Sequence, residues 1–283
     1  MNIMKKPLSL AILASCFVIT GASAETALVS EVKTPEQTLK VINERMLKVS
    51  PGLGANSAQL DFTLKGFQAE FGGNYLPITL SGQRYLTDTE GSIIMEPSKA
   101  FMFNGKNELS NVNDTFIKLE LMSEENKDRV ISHSLPDGVD KKGDLFVLTD
   151  PTCGYCHKVE EEVENYLNSG IVVHYIPYPR AGIVDVTNAG YALWAKAACA
   201  ENPAKAYHDV SLRIGDYKSP DDMNDACTDI IKDGYAFGRK ISITGTPYMF
   251  AVGSDGDSFS SAGYLPYESI AERLGVQTVN LSK

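Results

Sequence analysis

Two cysteines separated by two residues stand between an apolar run and a helical pattern, and nothing else in the chain constrains its fold as much. Cys153-Gly154-Tyr155-Cys156-His157 follows the stretch DLFVLTD (144–150), which reads as a buried strand, and precedes the charged, periodic stretch 158–167, which reads as a helix. This spacing permits a small-loop disulfide. It also puts the first sulfur at a helix N-terminus, where unpaired N–H groups and the macrodipole favour a thiolate. The thiolate is the nucleophile of disulfide exchange, so the location itself supplies reactivity.

An exported protein is the natural setting for such chemistry. Residues 1–24 read as a secretory leader, with Lys5 and Lys6 as its basic start and Ala22-Ser23-Ala24 as its cleavage site. The apolar stretch 8–19 is about 12 residues, too short for a stable span. A rival reading puts lipid on Cys16 after Leu13-Ala14-Ser15, but the apolar run continues through Phe17-Val18-Ile19 and argues against cleavage there. Loss of the leader leaves four of the five cysteines, an even number that suits a disulfide-permissive compartment. Cys153 and Cys156 are one natural pair. Cys199 and Cys227 are then the other, or else two free buried thiols. With 26 basic and 36 acidic residues the chain carries −10, and −12 without Lys5 and Lys6. That excess disfavours nucleic acid and general attraction to anionic membrane.

The chain divides near 106–130. A capped helical pattern over 34–49 ends at Ser50-Pro51-Gly52. The reading then shifts to strands, with Leu60, Phe62 and Leu64 alternating and further short strands at 77–80, 84–87 and 92–95. Residues 111–122 read as a helix. Strand 144–149, helix 154–168 and strand 171–176 form a β-α-β unit suited to parallel pairing. Helices follow over 187–200, 203–212 and 221–237, then strands over 248–252 and 258–264 and a closing helix over 266–274. The expected fold is an α+β N-terminal module (25–105), a helical linker (106–130) and an α/β thioredoxin-like domain with a helical insertion (131–283).

Gly245-Thr246-Pro247 precedes the last strand pair. In a thioredoxin-like fold this proline is cis and lies beside the cysteine pair, where the Thr246 backbone can pair with an extended substrate segment. His157 is expected to modulate the thiolate, as a cation or as a donor to it. The run Glu160-Glu161-Glu162-Glu164 reads as a solvated helix face, and Trp194 as a core aromatic. A low but not extreme Cys153 pKa is expected. Half of a zinc site is the first rival for the motif, but the second cysteine pair is distant and lacks short spacing. Cys-x-x-Cys-His also matches a c-type haem attachment, against which stand the preceding strand and the downstream Thr246-Pro247. We expect no metal and no cofactor.

The residues Thr149-Asp150, Thr152 to Lys158, Tyr178-Pro179-Arg180 and Gly245-Thr246-Pro247 together resemble the periplasmic thiol:disulfide interchange proteins of the DsbC/DsbG family, on the DsbC side. Cys199, Asn202 and Lys205-Ala206-Tyr207-His208-Asp209-Val210 resemble that family's helical insertion, and Cys199 and Cys227 match its structural disulfide. The resemblance is strong over 144–274 and loose over 25–105. It implies a periplasmic homodimer joined through the N-terminal module, acting on misoxidised or unfolded exported proteins and kept reduced by a membrane reductase of the DsbD type. Cys153 would attack and Cys156 resolve, with Gly154, Tyr155 and His157 modulating them and Thr246 and Pro247 binding substrate. The chain departs from the family in extra residues around 49–73 and in a longer Cys199–Cys227 spacing. Two other functions stay open: a chaperone-like dimer of the DsbG type with secondary redox activity, and a thiol oxidase.

Overall fold

Thr34 starts the first helix by a reciprocal cap. Its hydroxyl accepts from Gln37 N, its own N–H donates to the Gln37 side chain, and Pro35 fills the first helical position. The structure is a computed structural model that describes residues 33–52, 57–107, 109–214 and 225–279. The leader, Cys16 and the expected helical start at 221–224 lie outside these residues. Helix α1 (Pro35–Val49) packs on the strand β1 (Ala58–Leu60).

The alternation through Leu60, Phe62 and Leu64 does not continue as a strand. Asp61 accepts from both the N–H and the hydroxyl of Thr63, at 3.0 and 2.6 Å, and this turn sends the chain into helix α2 (Leu64–Phe71). Strands β2 (Tyr75–Leu80), β3 (Gln83–Asp88) and β4 (Ile94–Met95) complete an antiparallel sheet in the order β1-β2-β3-β4. A separate ribbon joins β5 (Phe101–Phe103) and β6 (Leu109–Asn111).

Helix α3 (Val112–Leu121) begins under the Asn111 cap and carries apolar residues on two sides. Phe116 stacks on Phe67 in the core of the first sheet. Ile117 and Leu121 join Phe146, Leu148, Ile176 and Phe250 in the core of the second. Where α3 passes between them, Arg84 of β3 pairs with Asp61 at 2.9 Å and with Glu120 of α3 at 2.8 Å, and Glu120 also receives Lys240 at 2.9 Å.

After a 3-10 turn (Glu124–Arg129), strand β7 (Ile131–Ser132) enters the second sheet, with order β11-β10-β8-β9-β7. At its centre β8 (Gly143–Thr149) runs parallel to β9 (Ile171–Pro177), with Leu145 opposite Val173 and Val147 opposite Tyr175. All seven residues of β8 are buried, as a strand covered on both faces must be. The crossover is not the single helix expected. It breaks at Glu162 into α4 (Gly154–Glu161) and α5 (Val163–Asn168), where the Glu162 carboxylate accepts from Tyr264 Oη at 2.7 Å and from Tyr267 N at 3.0 Å.

Helices α6 (Ala189–Ala198), α7 (Pro203–Leu212) and α8 (Asp225–Lys240) form the insertion before β10 (Tyr248–Gly253), β11 (Ser258–Ala262) and α9 (Tyr267–Arg273). Helix α8 lies close on β9 because Gly234 and Gly238 leave room: a Cβ would come within 2.5 Å of Pro177 O at the first and 2.4 Å of the Tyr178 ring at the second. Cys199 is bonded to Cys227, which ties the end of α6 to α8. A bridge spanning 28 positions contributes roughly 3.6 kcal/mol on the chain-entropy account. Among the described residues no helix is long and apolar enough to cross a membrane.

Candidate active site

The central strand β8 ends at Thr149, and at Asp150 the chain turns tightly into α4. Asp150 makes that turn. Its Oδ1 accepts from Thr152 N at 2.8 Å and from the Thr152 hydroxyl at 2.6 Å, while Cys153 N donates to the Asp150 carbonyl. Cys153 is therefore the N-cap residue of α4, and Cys156 lies in its first turn with no exposed surface. Both are thiols in this structure. An added Cβ at Gly154 would meet nothing within 4 Å, so the surface beside the sulfurs is open there. The Tyr155 ring is exposed, with Lys158 Nζ 5.2 Å from its centroid.

The loop before β10 closes over the first sulfur. Thr246–Pro247 is a cis peptide, and Cys153 Sγ donates to the Thr246 carbonyl at 3.2 Å. Donation from Cys156 Sγ–H pulls the Cys153 pKa down to about 5; burial opposes this, and the Thr246 side chain with the N–H groups of Cys156 and Tyr155 assists it. Cys156 moves the other way: burial, then its bond to Cys153, push its thiol far up. Cys153 is thus the sulfur that gives up its proton first, and Cys156 the one that keeps it. Alkylation of reduced protein by iodoacetamide should accordingly stay near its maximal rate down to about pH 6 and fall to half near pH 5; a midpoint at the free-cysteine value of ~8.5 would contradict the geometry. The linked stability has the same sign. A folded pKa below the unfolded one means the thiolate contribution to the reduced protein is complete above ~8.5 and lost as pH falls through about 5.

His157 stands next to the pair, and its Nε2 lies 3.0 Å from the Pro151 carbonyl. Residues that sequence reasoning left without a role complete the site. Arg180 donates to Asp150 through its backbone N–H at 2.8 Å and through Nε at 3.2 Å, and its positive charge faces both sulfurs. The Thr149 side chain bonds Cys156 on one side and the Tyr207 hydroxyl on the other. Position relative to Cys153 was the available signal for Asp150, and membership of the Tyr178-Pro179-Arg180 motif for Arg180; neither showed that the two meet.

The acidic run is not a solvated face. Glu161 and Glu164 are exposed, but Glu160 is buried against Tyr175 and His208, and Glu162 is held by Tyr264 and Tyr267. The partners that overturn the expectation come from distant parts of the chain. Among the described residues no group of three or more His, Cys, Asp or Glu is arranged to hold a metal.

A reactive thiol at a helix N-terminus, a buried second thiol and a cis-proline loop in this fold define a thiol–disulfide oxidoreductase. Residues 138–277 match the thioredoxin-like domain family. The chain is 32% identical over 199 residues to the thiol:disulfide interchange protein DsbC of Escherichia coli, covering 70% of this chain and 75% of that protein. It is 32% identical over 171 residues to the DsbC of Salmonella typhimurium, covering 60% and 65%. A crystal structure of a disulfide interchange protein from Neisseria gonorrhoeae aligns with 52% of this chain and 94% of that one, at 22% identity and a TM-score of 0.41. The chain belongs to the DsbC family of thiol:disulfide interchange proteins.

Proposed function

We propose that this chain is a disulfide isomerase and reductase for exported proteins, working in the periplasm. The observation that supports the reading is the difference between the sulfurs: Cys153 caps α4, where donation from Cys156 lowers its pKa, and Cys156 is buried in the first turn, where it keeps its proton. The Cys153 thiolate attacks one sulfur of a wrong disulfide. A Cys153–substrate bond forms, the substrate bond breaks, and the second substrate sulfur leaves as a thiolate. A substrate thiolate that attacks this mixed disulfide re-forms a substrate bond and returns Cys153, which is isomerisation. If Cys156 attacks Cys153 instead, the substrate leaves reduced by two electrons and the enzyme holds a Cys153–Cys156 disulfide. A membrane reductase of the DsbD type would restore the dithiol.

Thr246 and Pro247 are the substrate-binding residues in this reading, with Gly154, Tyr155 and His157 modulating the site and Cys199–Cys227 structural. The domains are those of the sequence: a leader (1–24), a dimerisation module (25–105), a helical linker (106–130) and the catalytic domain (131–283). Exposed apolar side chains on the first module, Ile94 on the edge strand and Phe101 and Phe103 on β5, support self-association there.

Refolding of a scrambled multi-disulfide protein, with solution mass recorded on the same samples, tests the proposal. Recovery by a dimer is expected. No recovery, with rapid oxidation of reduced substrate by a monomer, would make the chain an oxidase instead.

A further inference from the structure

Glu160 and His208 form a buried pair that the exchange reaction does not use. Glu160 is 2% exposed and lies one turn beyond Cys156 on α4, a spacing that places two side chains on one helix face. Its Oε2 accepts from Tyr175 Oη of β9 at 2.9 Å and meets His208 Nδ1 of α7 at 3.1 Å. His133 Nε2 reaches the same Tyr175 hydroxyl at 2.9 Å. One carboxylate oxygen thus ties the active-site helix to the central sheet and to the inserted helices.

Two routes connect this pair to the sulfurs. His157, next to Cys156, faces the Glu160 charge. Tyr207 faces the charges of both Glu160 and Cys156, and bonds the Thr149 hydroxyl that in turn bonds Cys156. The titratable groups that face the pair are His157 on α4, Tyr175 on β9, Tyr207 and Asp209 on α7, Glu164 on α5, and His133 after β7. Burial and then the charges of His208 and His174 take the His133 pKa down to about 4, so at neutral pH it contributes no charge. Burial pushes the Glu160 acid up and His208 opposes this; the bond to Glu160 raises His208. Each partner favours the charged form of the other.

We propose that Glu160 and His208 are positioning residues that set the reduction potential of the Cys153–Cys156 couple, with the carboxylate end of the pair turned toward the thiols. This rests on the assignment of those cysteines as the redox couple. A negative charge one turn from Cys156 disfavours thiolate and so disfavours the reduced form. Removing it stabilises the dithiol and makes the couple more oxidising.

The full chain is equilibrated with glutathione: the protein dithiol and glutathione disulfide give the protein disulfide and two glutathione thiols, two electrons passing to glutathione. Glu160→Gln is expected to shift this equilibrium about tenfold toward the dithiol, which is about 30 mV. His208→Gln, which leaves the buried acid to take up a proton, should shift it the same way. The exchanged pair Glu160→His with His208→Glu keeps both charges but turns the positive end to the thiols, and should shift it at least as far. Folded variants within twofold of wild type would overturn the inference. Wild type supplies an independent check by reciprocity: the His208 imidazole should titrate at higher pH in reduced than in oxidised protein, and equal titrations would overturn it too. A wild type that fails to exchange with glutathione would instead overturn the assignment of the couple.

Discussion

Cys153→Ser should reduce disulfide exchange to the uncatalysed rate, while Cys156→Ser should leave the first attack intact and stall release of the substrate. Everything that lowers the Cys153 pKa acts on a sulfur at the cap of α4, and a serine hydroxyl placed there does not ionise near neutral pH. Cys156 cannot stand in, because burial holds its proton. The two variants therefore separate by product. With a substrate disulfide, Cys153→Ser should give no covalent adduct on non-reducing gels, and Cys156→Ser should accumulate a mixed disulfide that only added thiol releases. An adduct of Cys153→Ser through Cys156 would reverse the roles assigned to the two sulfurs. If the protein also holds unfolded chains, suppression of aggregation should survive in Cys153→Ser.

Arg84→Ala should cost about 3–5 kcal/mol of unfolding free energy, the loss expected when one partner of a buried ion network is removed. Arg84 is 4% exposed and bonds two carboxylates, Asp61 at 2.9 Å and Glu120 at 2.8 Å, with its guanidinium 4.7 Å from the Phe116 ring. Burial alone would raise the Asp61 pKa; the Arg84 charge and hydrogen bonds, with those of Thr63, outweigh it and lower it. A depressed carboxylate stabilises above its unfolded pKa of ~3.9 and loses that contribution as pH falls through the folded value. Without Arg84, burial dominates and the sign reverses: Asp61 takes up a proton more readily than in the unfolded chain. The penalty should then be largest near neutral pH and shrink toward pH 4 in urea titrations. A cost under about 1 kcal/mol at pH 7 would show that water, rather than Arg84, satisfies these carboxylates.

The parts of the fold legible in the sequence are those whose causes are local. Strand β8 is a continuous apolar run, α7 has its Asn202 cap and Pro203 in place, and Cys153 lies where strand meets helix. The parts that were not legible depend on partners far along the chain. Leu60, Phe62 and Leu64 alternate well enough, but an Asp61 turn sealed by Arg84 from β3 outweighs the pattern. Four glutamates in a stretch that reads as one helix look solvated until a tyrosine 15 positions away and a histidine 48 positions away meet Glu160. The same holds at the site: the cysteines and the cis-proline loop carry recognisable spacing, whereas the meeting of Asp150 with Arg180 is a product of β8 and β9 lying side by side.

Thr149 gives the molecule an optical consequence. Trp194 is the chain's single tryptophan; its indole N–H donates to the Thr149 carbonyl at 3.0 Å, and its ring stacks on Tyr207 at 4.2 Å between centroids. The hydroxyl of that same threonine touches both Tyr207 and Cys156. One chromophore is thus linked to the buried Cys156 sulfur through one residue, so intrinsic emission is expected to differ between the dithiol and disulfide forms with no second tryptophan to dilute the change, which a fluorescence spectrum of reduced beside oxidised protein would read directly.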